Sequence, residues 1–83
     1  MNKRDRIVEI ISNIFFVGKE YTVGDSVSLF ETGVFDSIGI MELVAKLEEA
    51  FAISIEDHEV MPENLDSVTA IIAFLEAKGI TDS

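Results

Sequence analysis

The sequence predicts an all-α fold: a small helical bundle with three main helices, one short extra helix and a long first loop. Three observations support this. Apolar residues recur at i, i+3, i+4 and i+7 in three separate stretches, the spacing of a core-facing helical stripe. Residues that start and stop helices bracket those stretches. The only strand-like alternation, Ile53 and Ile55, is too short and too isolated to pair, and reads as a loop tucked on the core. Eighty-three residues, 48% of them hydrophobic, form one domain (1–83), with an ordered core over about residues 3–79.

The first helix is expected from about Asn2 or Lys3 to Phe16. Ile7, Ile10, Ile11 and Ile14 form its stripe, Val8 and Phe15 widen it, and Gly18 follows as a stop. Residues 17–35 make a long connection, of a length often tied to function. Tyr21-Thr22-Val23, Val27 and Leu29-Phe30 are too apolar for a wholly solvated loop, so several of them are expected to pack down as anchors. The second helix is expected from Ser37 to Phe51, roughly 22 Å long at 1.5 Å per residue. Asp36 is its N-cap, and Ile40, Leu43, Val44, Leu47 and Phe51 form its core stripe. A short helix is expected over Glu56 to Met61, closed by Pro62. Asp66 and Ser67 then cap a last helix, in which Val68, Ile71, Ile72 and Leu75 face inward and Gly79 ends the run.

The formal net charge is −10, and it is unevenly placed. Four of the six basic residues (Lys3, Arg4, Arg6 and Lys19) fall in the first quarter. Between Asp36 and Asp66 nine acidic residues face Lys46 alone. Such a surface excludes nucleic acid as a partner, because phosphate binding needs clustered Lys and Arg. It favours basic protein partners and speeds their encounter. No apolar run is long enough to span a bilayer, and the charged start does not read as a signal peptide, so a cytoplasmic monomer is expected. The absence of cysteine excludes disulfides, thiolate catalysis and cysteine metal sites. One histidine, His58, makes neither a typical zinc site nor a credible Ser/His/Asp relay with Ser37, so no catalytic or metal site is assigned.

Ser37 stands where the second helix begins, beside unpaired first-turn amides and the positive end of the helix dipole. A serine there is ordinarily a local hydrogen-bonding device. Not every apolar residue of this helix can face inward. Ile38, Met41 and Ala45 lie off the main stripe; Met41 reads as a docking residue, whereas Ile38 reads equally as docking or as the edge of a wide buried stripe. Gly39, with no side chain, leaves room beside Ser37.

Asp36-Ser37-Ile38-Gly39, followed by Ile40-Met41-Glu42-Leu43-Val44 and Leu47-Glu48-Glu49-Ala50-Phe51, resembles the carrier-protein family: acyl carrier proteins and the related peptidyl and aminoacyl carriers. The resemblance runs from about Asp5 to Lys78. It implies an acyl-carrier-like bundle with no catalytic residues of its own. It also implies that Ser37 receives 4′-phosphopantetheine from coenzyme A, that Asp36 is recognised by the modifying transferase, and that the cofactor thiol holds an acyl or aminoacyl group as a thioester. The implied partners are a phosphopantetheinyl transferase and an adenylating ligase, acyltransferase or synthase. These would dock on Ile38, Met41 and Ala45 with electrostatic contacts from Glu42, Glu48, Glu49 and Glu56. Thr32-Gly33-Val34-Phe35-Asp36-Ser37 resembles stand-alone aminoacyl carriers, D-alanyl carriers included, and carriers of dedicated secondary pathways more than the carriers of fatty-acid synthesis. The alternative reading is an unmodified acidic helical module that binds a basic protein.

Overall fold

The computed structural model describes residues 2–15, 24–29, 31 and 37–80, with residue 37 described by its backbone alone. Among the described residues four α-helices follow one another: α1 (Lys3–Phe15), α2 (Ser37–Phe51), α3 (Pro62–Leu65) and α4 (Val68–Ala77). A 3₁₀ turn, Asp57–Glu59, lies between α2 and α3, and no strand occurs among the described residues. The architecture is the all-helical bundle expected from the apolar spacing.

Helix α1 starts where Asn2 can cap it. The Asn2 side-chain oxygen accepts from the Asp5 amide at 2.8 Å, filling one of the first-turn donors that no helical carbonyl reaches. Its stripe then packs against both α2 and α4. Ile7 and Ile11 are fully buried, with Ile10, Ile14, Val8 and Phe15 half-buried around them. The Arg6 guanidinium lies 5.1 Å from the centroid of the Phe51 ring, and Ile14 and Phe15 line a shared cleft with Ile38 at the opposite end. Helices α1 and α2 are therefore antiparallel, and the end of α1 sits beside the start of α2.

Leu43, Leu47 and Phe51 carry the buried face of α2; Val68, Ile71, Phe74 and Leu75 carry that of α4. Phe74, rather than Ile72, joins the buried set, because a bulky ring three residues after Ile71 reaches the core while Ile72 sits at its margin. Burying side chains of this size stabilises the bundle by about 1.5–3 kcal/mol each relative to exposure.

The described part of the first loop is stitched down at both edges. Leu29 is fully buried, and its amide donates to the Asp66 carbonyl at 2.6 Å. The Ser28 hydroxyl donates to the Asp66 carboxylate at 2.8 Å, and the Thr69 amide donates to the Asp25 carbonyl at 3.0 Å. Arg4 grips the Asp25 carboxylate through Nε and Nη2, both at 2.9 Å. Leu29 is thus one of the several anchors expected; Val27 is not among them, lying in a turn closed by its amide on the Gly24 carbonyl and 44% exposed. Tyr21 to Val23, Phe30 and Gly18 lie outside the described residues.

Two boundaries differ from expectation. The short helix expected over Glu56 to Met61 is only a single 3₁₀ turn, and Pro62 opens α3 instead of closing the turn before it. Proline at a first helical position loses nothing by lacking an N–H and has its φ already set. Ser67 alone caps α4, its hydroxyl accepting from the Ala70 amide at 3.1 Å; Asp66 instead closes α3 and holds the first loop. Gly79, at φ 95°, then ends α4: the Ile80 amide bonds the Leu75 carbonyl and the Gly79 amide that of Glu76.

Candidate attachment site and docking face

Helix α2 begins at Ser37, as the pattern requires, so Ser37 occupies the first helical position beside the unpaired amides of the first turn. Asp36 and the Thr32–Phe35 string before it lie outside the described residues. The neighbouring side chain is open to solvent: Ile38 is 74% exposed, which decides against a wide buried stripe.

The same opening continues along α2. At 100° per residue, Ile38, Met41, Glu42, Ala45 and Glu49 fall within about 100° of arc, directly opposite Leu43 and Leu47. All five are exposed, Met41 to 66%. A strip of apolar side chains therefore runs from the helix start, bordered by two carboxylates. A methionine and an isoleucine held in water have no role in this chain's own core, and such a strip is the composition of a contact surface.

Glu48 lies off this strip and is half-buried. Its carboxylate accepts from the Ile55 amide at 2.8 Å, and its carbonyl accepts from the Ile53 amide at 3.2 Å. Sequence reading put Glu48 among the docking acids; the structure gives it work inside the fold. Its partner is a backbone amide seven residues on, which leaves no trace in a pattern of side chains. Glu56 is exposed at the start of the 3₁₀ turn and faces solvent.

That turn is held from two sides. One oxygen of Glu59 accepts both from the Glu56 amide at 2.9 Å and from Lys78 Nζ at 2.8 Å, while the Asn64 side-chain amide donates to the Glu59 carbonyl at 2.8 Å. The Lys78 contact, helped by the Glu56 amide, holds the Glu59 carboxyl below its ordinary range. Hydrogen bonding from Arg4 does the same to Asp25. His58, in the same turn, is exposed. Among the described residues no cluster of His, Cys, Asp or Glu is arranged to hold a metal ion.

A serine at the first position of a rigid helix, with an exposed apolar strip starting beside it, is suited to carrying a group that other proteins must reach. Comparison with known proteins identifies the group. The family model described as the phosphopantetheine attachment site matches residues 5–75. The chain belongs to this phosphopantetheine-attachment family. It is a carrier protein, with 4′-phosphopantetheine as its covalent prosthetic group. The carrier is 28% identical over 76 residues to D-alanyl carrier proteins of Streptococcus pyogenes, among them those of serotypes M5 and M1, covering 92% of this chain and 94% of each relative. Its fold matches the solution structure of a holo acyl carrier protein from Nitrosomonas europaea with a TM-score of 0.78 at 22% identity, over 94% of this chain and 96% of that one. The unmodified-module reading is not favoured by these matches.

The residues present fit the prosthetic group. A phosphodiester is an anion, and first-turn amides and the helix dipole offset negative charge at the helix start. The group would supply the thiol that a cysteine-free chain lacks.

Proposed function

We propose that Ser37 is the attachment residue, and that the carrier, acting as a monomeric single domain in the cytoplasm, presents a thioester-bound aminoacyl or acyl group to partner enzymes. The serine hydroxyl attacks the β-phosphorus of coenzyme A. A new P–O bond forms, the pyrophosphate P–O bond breaks, 3′,5′-ADP leaves, and the serine proton passes to the transferase or to water. No residue of this chain is asked to catalyse the step.

The observation that carries this reading is the coincidence of the family match with a serine at position one of α2. Asp36 serves recognition by the transferase. Ile38, Met41 and Ala45 give partners an apolar contact, and Glu42, Glu49 and Glu56 steer basic surfaces toward it. Glu48 contributes at the rim through its field while its carboxylate stays tied to Ile55. The expected partners are a phosphopantetheinyl transferase and an adenylating ligase, with an acyltransferase or synthase downstream. The D-alanyl carrier relatives support an aminoacyl cargo, in line with Thr32-Gly33 preceding the Asp-Ser pair. No helix among the described residues is long and apolar enough to cross a membrane, so the carrier is read as working with its enzymes in water.

The test is direct. Purified protein is incubated with coenzyme A and a broad-specificity phosphopantetheinyl transferase, then weighed. One phosphopantetheine per chain, absent from Ser37→Ala, is the expected result. No adduct on folded protein, or an adduct that survives Ser37→Ala, overturns the assignment.

A further inference from the structure

The seam between the antiparallel helices α1 and α2 is not filled along its outer edge. Beside the start of α2 it opens into a cleft of ≈ 160 Å³, walled by Ile14, Phe15 and Ile38, floored by Gly39 and rimmed by Glu42. Further down, sharing Ile14 as a wall, it widens to a hollow of ≈ 270 Å³. There Ile10 and Ala50 form the apolar floor, and Glu9, Asn13, Lys46 and Glu49 stand around the mouth. The first cleft opens next to Ser37 and the second lies about two and a half to three and a half turns along the same helix. We propose that the phosphopantetheine arm rests in this seam when the carrier is undocked, and that the hollow at its far end receives a small acyl group bearing an ammonium. This rests on attachment at Ser37.

Three features match seam to arm. The first is length. From phosphorus to sulfur the arm has about thirteen bonds, the equivalent of four to five residues of extended chain, or about 15 Å. Along α2, Lys46 lies about 13.5 Å and Glu49 about 18 Å beyond Ser37. The thiol end therefore reaches the hollow without overshooting it.

The second is the order of chemistry along the arm. Its one branched apolar unit, the geminal dimethyl, comes directly after the phosphate and meets Ile14, Phe15 and Ile38. Gly39 lines the floor with backbone alone, so the arm passes close to the helix there. The hydroxyl and first amide N–H come next, near Glu42, about 7.5 Å along the axis. Both are neutral donors, which a carboxylate accepts well, whereas it would repel the phosphate left behind at the helix start.

The third is the hollow's charge. Glu9 and Glu49 bring two carboxylates against Lys46, which makes no ion pair among the described residues. The balance is negative, so an aminoacyl ammonium finds a partner there, and the thioester carbonyl can accept from Lys46 or the Asn13 amide. A long alkyl chain would gain only the small floor of Ile10 and Ala50.

The test uses the full chain, labelled with ¹⁵N and ¹³C and loaded enzymatically with an unlabelled arm. Mass first reports whether the arm is attached, which tests Ser37 and not the seam. Nuclear Overhauser contacts from the arm's methyl protons to Phe15 and Ile14 are then expected, with amide shifts at Asn13 and Lys46 between apo and holo forms. A glycyl amide analogue on the thiol should extend those shifts to Glu9 and Glu49, and a butyryl analogue of similar size should not. Asn13→Arg, an exposed substitution that fills the mouth of the hollow, should abolish the far-end shifts while mass and melting temperature stay unchanged. Contacts confined to Ser37 and its immediate neighbours, contacts to α3 or α4, or equal shifts from the two analogues would overturn the proposal.

Discussion

The Glu48 carboxylate accepts the Ile55 amide at 2.8 Å, and the Glu48 carbonyl accepts the Ile53 amide, so one residue of α2 fixes both ends of the turn that leaves it. Ile55 is buried and this bond is partly buried, so the amide needs a partner. A hydrogen bond to an ionised acceptor contributes about 1.5–3 kcal/mol, and removing the acceptor leaves the donor unsatisfied. Glu48→Ala should therefore lower unfolding free energy by about 1–2 kcal/mol in urea titrations, a drop of roughly 4–8 °C in Tm per kcal/mol for a domain of this size. Glu48→Gln, which keeps an accepting oxygen, should lose about half as much. Glu49→Ala, on the exposed strip, should change stability by less than about 0.5 kcal/mol.

Helices α2 and α4 end in the same way, but with different residues at the turning point. After α4 the left-handed position is Gly79; after α2 it is Ala52, at φ 54°. In both, the amide of the next residue reaches back to a carbonyl five residues earlier, Leu75 for Ile80 and Glu48 for Ile53. A Cβ in the left-handed region costs about 1–2 kcal/mol, offset in part by the greater freedom that glycine loses on folding. Ala52→Gly should thus stabilise the carrier by a few tenths to about 1 kcal/mol. An unchanged or lowered urea midpoint would mean that the turn relaxes around alanine without strain.

How far the sequence could be read follows from what each residue type signals. Helix α2 was legible from Ser37 to Phe51 because its apolar period and its polar entry coincide, and the Asp-Ser motif sits at that entry. The solvent face of Ile38 and Met41 follows from the same wheel once Leu43 and Leu47 are known to point inward. Pro62 reads either way because proline both stops helices and starts them, and only the hydrogen bonds that the Met61 and Pro62 carbonyls accept distinguish the two. Val27 and Leu29 are both apolar in an irregular stretch with no period to sort them. The pairing of Leu29 with Asp66 buries one and leaves the other out. Glu48 and Glu49 are identical letters, separated only by 100° of helix and a backbone amide that one of them meets.

Charge should give the carrier opposite salt responses in its two roles. At −10 the folded chain repels itself, while the same field draws in basic enzymes. Raising salt from 10 to 150 mM shortens the screening length from about 30 to about 8 Å. The melting temperature should rise, and kcat/KM for the phosphopantetheinyl transferase should fall. Glu42→Lys, on the exposed strip, should reduce that kcat/KM about three- to ten-fold at low salt, mainly through association, with the difference shrinking at high salt. Equal rates for Glu42→Lys and the parent at low salt would remove Glu42 from the docking face.

Acid should act on the fold in two stages. Arg4 holds the Asp25 carboxyl below its ordinary value of 3.8, and Lys78 holds that of Glu59 below 4.5. A carboxyl whose folded value is depressed contributes stability that is complete above its unfolded value and is lost as pH falls through the folded one. The Glu59 contribution therefore survives from pH 7 down to about 4.5 and that of Asp25 down to about 3.8, and each is lost progressively below. Urea midpoints should hold from pH 7 to 5 and then fall toward pH 3. The double variant Asp25→Asn, Glu59→Gln should be less stable at pH 7 yet lose less on acidification, because the two groups that must be protonated against their partners are gone. If parent and variant fall in parallel below pH 4.5, the acid sensitivity lies elsewhere in the bundle and these two ion pairs contribute little to it.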